Sequence, residues 1–183
     1  MVMKVTVERK IGSTVLLKRA AGLNHWAAYV GVPASTSADR SAQLLRMAGV
    51  RPGKRAEKLR KAAESDLNNA ETLFLLSKGS PIKGQPPRPV LEPAVQADGN
   101  RQPIARELAN KAKAQLDGDE AGATRFAQRA ALAGQNAARA WFTDPRNNWA
   151  PNAPSTIRRK GSNRPGIDTG ATRAAIVGVV AEE

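Results

Sequence analysis

Between Glu120 and Phe142 small residues recur at three- and four-residue spacing: Ala123, Ala127, Ala130, Gly134 and Ala137, closed by Trp141. Only a helix places that series on one side. A stripe of alanine and glycine lets another helix approach closely, so this segment sets the terms for the rest of the chain. Composition agrees: 41% of residues are hydrophobic but only 4% are aromatic, and the core must come from Ala, Val, Leu and Ile. Alanine removes little area from water, at roughly 25 cal/mol per Å². The sequence therefore predicts thin, closely packed helices in a subunit that gains stability from neighbours.

A second long helix is expected before that one. Pro103 suits a first turn, and Ile104, Leu108, Ala112 and Leu116 stack at four-residue spacing. Asn68 or Asn69 can cap a helix carrying Ala70, Leu73, Phe74 and Leu76, which Gly79-Ser80-Pro81 ends. A shorter helix is expected over Lys10–Ala21 with Gly22 as its stop, and Asp39 can cap one through Met47. Strands are expected where Val5 and Val7 alternate with polar residues, at His25–Val32 before Pro33, and at Ala174–Ala181. Ile82–Pro93 holds Pro86, Pro87, Pro89 and Pro93. Proline has no backbone donor, so this reads as an extended segment with Val90 and Leu91 packed down. The fold class is α+β: three or four short, mostly antiparallel strands packed with two long Ala-rich helices, plus extended loops or arms. With no repeat and no clear boundary, residues 1–183 read as a single domain. Within it, 34–66 reads as a basic insertion or loop and 147–167 as an extended loop or arm, both ordered only by partners.

Net charge is +13, from 29 Lys and Arg against 16 Asp and Glu. Such a surface attracts polyanions or acidic proteins. Arg51, Lys54, Arg55, Lys58, Arg60 and Lys61 form a basic run, either a solvated helix or a mobile loop, and are candidate contacts to phosphate or to an acidic partner. Arg158, Arg159 and Lys160 form a second cluster, with Arg164 nearby. Nothing is spaced to read base edges, so a sequence-specific DNA reader is not expected.

Chemistry finds little footing. There is no cysteine and one histidine, His25. That leaves no nucleophile triad and no His–carboxylate spacing for a metal, and neither catalytic residues nor cofactors are expected. Glu57, Glu64, Asp66 and Glu71 read as scattered surface acids. The run from Gly79 to Gly84 holds phosphate-loop residue types without the pattern. No apolar run nears the ~18 residues of a membrane span, and the first residues lack the apolar block of a signal peptide. The expectation is a soluble chain made in a reducing cytoplasm.

Three segments in order carry a resemblance. The first is Ala28–Pro33 (AYVGVP). The second is Asn68–Pro81 (NNAETLFLLSKGSP) running into Gln85–Ala94 (QPPRPVLEPA). The third is Asn148–Ser162 (NWAPNAPSTIRRKGS) ending in Arg164–Gly170 (RPGIDTG). Together they resemble the tailed-bacteriophage virion-morphogenesis or tail-completion proteins, related to the minor tail and head–tail joining families. That family carries Ala-x-x-His-Glu-x-Gly on a helix, then Pro-Pro-Arg-Pro-Phe-Leu, and later Thr-x-x-x-Lys-Gly and Asp-Thr-Gly-x-Leu. Here Leu76-Ser77-Lys78-Gly79 replaces the His-Glu ending and Val90 stands for the aromatic. Thr156, Lys160, Gly161, Asp168, Thr169 and Gly170 are kept, and Thr172 takes the place of the leucine.

The resemblance implies a structural virion protein of the phage neck or tail end. It implies a ring, often hexameric, that joins or completes the tail and surrounds the DNA channel. Its partners would be a portal, connector or head-completion protein on one side and the tail tube or tail terminator on the other, with passing contact to duplex DNA. The alternatives are a sequence-nonspecific DNA-binding protein and, a distant third, an enzyme on cell-wall or nucleic-acid substrates. Candidate interface residues are Pro86, Pro87, Arg88, Pro89, Trp149, Arg158, Arg159, Lys160, Asp168 and Thr169. Prolines lower the entropy lost when an arm orders, an arginine held between them offers a bidentate contact to a carboxylate, and Trp149 offers a large anchor. Asp168-Thr169-Gly170 is expected to turn the chain into its final strand, with side chains capping backbone donors.

Overall fold

The computed structural model describes residues 13–22, 26–33, 40–50, 53–65 and 67–182. In chain order it has α1 Ser13–Ala21, β1 Trp26–Gly31, α2 Arg40–Val50, α3 Lys54–Ala63, α4 Asn69–Lys78, α5 Leu91–Gln96, α6 Arg101–Asp117, α7 Glu120–Trp141, α8 Pro154–Lys160, α9 Ala171–Ala175 and β2 Val177–Glu182. The fold is α+β. Two strands are present among the described residues, paired antiparallel with Ala28 opposite Val180 and Val30 opposite Gly178. The expected strand around Val5 and Val7, the Asp39 cap, His25 and Asp66 lie outside the described residues.

Helix α7 is the centre. Every residue of its predicted stripe is buried, joined by Ala131 and Ala138. Asp119 caps it, its carboxylate accepting from the Gly122 N–H at 2.8 Å. Helix α6 packs along one side and the β1–β2 pair lies on another. At Gly134 the closest neighbour is a strand rather than the second helix the stripe predicts: a Cβ there would sit 2.6 Å from Val30 Cγ2. Gly178 of β2 rests directly on the Ala131 backbone, and its N–H donates to Gln135 Oε1 at 3.0 Å. The small residues thus admit a pleated ribbon at backbone distance.

On α6 the predicted row is only half right. Leu108 is 41% exposed and faces a groove beside Val30, Leu91 and Val95. Lys111 and Ala114 are the buried residues. The face offered to an alanine-lined neighbour is the one carrying a small side chain at 114, while the lysine stem supplies apolar length. Burial holds the Lys111 ammonium below its ordinary pKa.

The described part of 34–66 is a correction. In place of a loop awaiting a partner, α2 and α3 pack on one another. Leu44 and Ala48 meet Ala56 and Leu59, with Ala171 of α9 against them. The charged run hid this because only one residue in three or four of α3 faces inward. Helix α4 begins and ends as its sequence predicts: Asn68 Oδ1 accepts from Glu71 N–H, the Glu71 carboxylate accepts from Asn68 N–H, and Gly79 closes it. Phe74, expected on its packed face, is 61% exposed.

The proline-rich stretch is extended only from Gln85 to Pro89. Pro81–Lys83 forms a 3₁₀ turn, and Leu91 starts α5 with Pro93 in its first turn. There a missing N–H costs nothing. Likewise 147–167 is not one long arm, because Pro154 opens α8.

Candidate docking surface

The three motif segments, scattered along the chain, meet in one core. Val30 and Val32 come from the first segment; Leu73, Leu76, Val90 and Ala94 from the second; Trp149 and Ile167 from the third. They surround Ala138, Trp141, Phe142 and Ile176. Full burial of Val90 alone is worth about 1.5–3 kcal/mol. The turn linking α4 to the prolines needs a glycine: Gly79 has φ 73°, and a Cβ there would lie 2.6 Å from the Gln85 carbonyl oxygen and 2.7 Å from Pro87 N.

Two predicted interface residues turn inward. Arg88 is 7% exposed. Its backbone N–H donates to Leu76 O at 2.9 Å and its Nη2 to Ala150 O at 3.0 Å, tying the second segment to the third. Burial pushes the guanidinium below its ordinary pKa, and Nε is enclosed without a hydrogen-bond partner. Trp149 packs edge-on to Phe142, with ring centroids 5.7 Å apart at 89°. In place of a protruding anchor, it closes the core. Pro87 and Pro89 are exposed and Pro86 is half-buried.

The basic groups partly converge. Lys58 of α3 bonds Asp168 Oδ1 at 2.5 Å across 110 positions. Thr169 Oγ1 accepts from the Ala171 N–H at 3.2 Å, as its turn predicts, although the turn opens α9 before the strand. Arg158 and Arg159 are exposed; Lys160 is half-buried and donates to Arg164 O at 2.8 Å. Burial lowers the Lys160 pKa most; Asp168 opposes this, while the positive charges of Lys58, Arg88 and Arg159 add to it. Arg40, which the sequence did not single out, joins from the start of α2. Its guanidinium is lowered by burial and partly restored by Asp168. Lys54, Arg60 and Lys61 point to solvent from α3. Arg51 lies outside the described residues, as does the side chain of Arg55.

Much of the arginine excess is used inside the chain. Arg19 donates to Leu116 O, Arg40 to Leu67 O, and Arg146 to Asp98 O. Arg139 donates to Ala174 O and Ile176 O, and Arg173 to Arg139 O. These guanidinium groups satisfy carbonyls at helix ends and in loops. Sequence alone offers no signal for that use, because it depends on which helix ends lie across from each arginine.

Among the described residues no group of three His, Asp or Glu side chains is placed to hold a metal. No described helix is long and apolar enough to cross a membrane. No protein-family model, no curated protein and no solved structure matches the chain.

Proposed function

We propose that this chain is a structural subunit of the phage virion, assembled as a ring at the neck or tail end, where it joins or completes the tail around the DNA channel. The observation that carries this reading is the shared core of the three motif segments. Segments of one inherited unit would share a core in this way.

The surface supports a docking role more than a chemical one. Ile82 at the tip of the 3₁₀ turn is 99% exposed, and Leu75 and Phe74 lie open on α4. These offer apolar contact, and Pro87 and Pro89 are exposed as well. Neighbours in the ring, a portal or head-completion protein above, and a tube or terminator protein below are the proposed partners. Nonspecific DNA binding is the second reading. It draws on the +13 charge, but several arginines already donate to carbonyls of this chain.

The test is an assembly phenotype together with a location. Removing the protein from an infecting phage should leave DNA-filled heads beside unattached or unfinished tails, and electron microscopy should find the chain as an annulus at the neck or tail end. Normal virions without it, or a location outside the particle, would overturn the reading.

A further inference from the structure

We infer that the recess formed by residues 142–149 after α7, residues 163–165 after α8 and Arg173 of α9 receives an acidic peptide segment of a neighbouring protein, with a carboxylate on Arg164 and Arg173 and an apolar residue beside it on the aromatic floor.

The cavity comes first. It measures about 760 Å³, within the ~300–1,000 Å³ of ligand pockets. Phe142 and Trp149 meet edge-on in its lining, and Pro145 and Pro165 add apolar surface. The shape is held from within. Asn147 donates to Trp141 O at 2.8 Å and accepts from the Trp149 N–H at 3.0 Å. Gly166 lies so close to both rings that a Cβ there would stand 3.1 Å from Trp149 and 3.2 Å from Phe142.

The donors come next. Arg173 gives Nε to Arg139 O at 2.8 Å, which orients the guanidinium and leaves its terminal amino groups. Arg164 is fixed through its backbone, its N–H on Ser162 Oγ at 3.2 Å and its carbonyl under Lys160 at 2.8 Å, while its side chain is exposed. Among the described residues neither arginine pairs with a carboxylate. Asp144 lines the same recess, but Arg146 holds both of its oxygens, at 2.6–3.1 Å. Two guanidinium forks thus border one cavity, and a planar carboxylate is the acceptor that matches them. Asn148 and Asn163 add exposed side-chain amides suited to a peptide backbone. Trp149 Nε1 is enclosed without a hydrogen-bond partner, and a peptide carbonyl is the acceptor that such a donor lacks.

Duplex DNA fits this recess poorly. Its phosphates run in a line on a convex rod and call for cations along a stripe or face. They also bring no apolar group for the floor of Phe142, Trp149 and the two prolines. A peptide loop brings both.

Assigning the peptide to a virion neighbour rests on the ring reading; the recess itself does not. The experiment is therefore done on the isolated full chain, by calorimetric titration with a blocked peptide of three Asp-Leu repeats, its neutral twin of three Asn-Leu repeats and a 20-base-pair duplex. The acidic peptide should bind at least tenfold more tightly than the neutral one. Arg164→Gln should weaken it at least tenfold. Arg106→Gln, which removes the same charge from an exposed position on α6, should change it less than twofold. Asn163→Arg, which adds a third fork at the rim, should strengthen it at least threefold, a gain that misfolding would not produce. Equal binding of the two peptides, equal weakening by Arg164→Gln and Arg106→Gln, no gain with Asn163→Arg, or a duplex that binds more tightly than the peptide and is lost with Arg164→Gln would each overturn the proposal. Failure here with the chain located at the phage neck removes the site alone; a location outside the particle removes the ring reading alone.

Discussion

Replacing Gly178 by alanine tests how closely the sheet lies on α7. A methyl group at that position would stand 3.1 Å from the Ala131 Cα and nearer still to its carbonyl carbon and oxygen. Carbon atoms in good contact are about 3.5–4.0 Å apart. The obstacle is the backbone of a buried helix, which cannot turn aside as a side chain can. β2 must therefore lift by about an ångström, and overpacking of this kind costs about 1–3 kcal/mol. Lifting also stretches the Gly178 N–H bond to Gln135, a net loss of about 1 kcal/mol. Alanine returns about 0.4–1 kcal/mol by restricting the unfolded chain. The balance is a destabilisation of about 1–3.5 kcal/mol, which for a chain of this length lowers Tm by about 2–14 °C. Thermal unfolding followed by circular dichroism at matched concentration would read it. A Tm within a degree of the parent would refute the backbone-contact argument.

Gly49 of α2 supplies the opposite sign, because a Cβ there meets nothing within 4 Å. Gly49→Ala should stabilise by about 0.5–1 kcal/mol in denaturant unfolding, and a loss would mean that α2 is not helical at that point. Asn68→Ala removes the reciprocal cap of α4 and should cost about 1 kcal/mol, with urea midpoints as the readout. Asp144 accepts from the Arg146 side chain and backbone N–H, which hold its carboxyl below the usual carboxylate value. Stability from a depressed pKa is present above the unfolded-state value near 4 and is lost as pH falls through the folded-state value. Asp144→Asn should therefore be less stable than the parent at pH 7, with the gap narrowing below about pH 4. A gap that stays constant down to pH 2 would show that the Asp144 charge is not its source.

Helix α7 was legible because its burial pattern is written in one residue type at one period, and β1 and β2 because bulky and branched residues cluster there. What stayed hidden has specific causes. Pro93 and Pro154 look like breakers, yet each sits in the opening turn of a helix, where proline is tolerated. The inward residues of α3, Ala56 and Leu59, are outnumbered by the charges around them. Arg88 and Trp149 stand out in the sequence, but their chemistry suits an interface and a core equally. Only the positions of Ala150 and Phe142 show that this chain itself supplies their contacts. Asp168 reads locally as a turn residue; its bond to Lys58 joins places too distant in sequence for local pattern to find.

The ladder between β1 and β2 joins stretches roughly 150 positions apart. It acts as a clasp over α7. Closing so long a span costs much entropy before any pairing rewards it, so the helices should gather first and the clasp fasten last. A backbone cut in an exposed loop between the two strands would turn the clasp into an encounter between two pieces, and holding the sheet together would then depend on concentration.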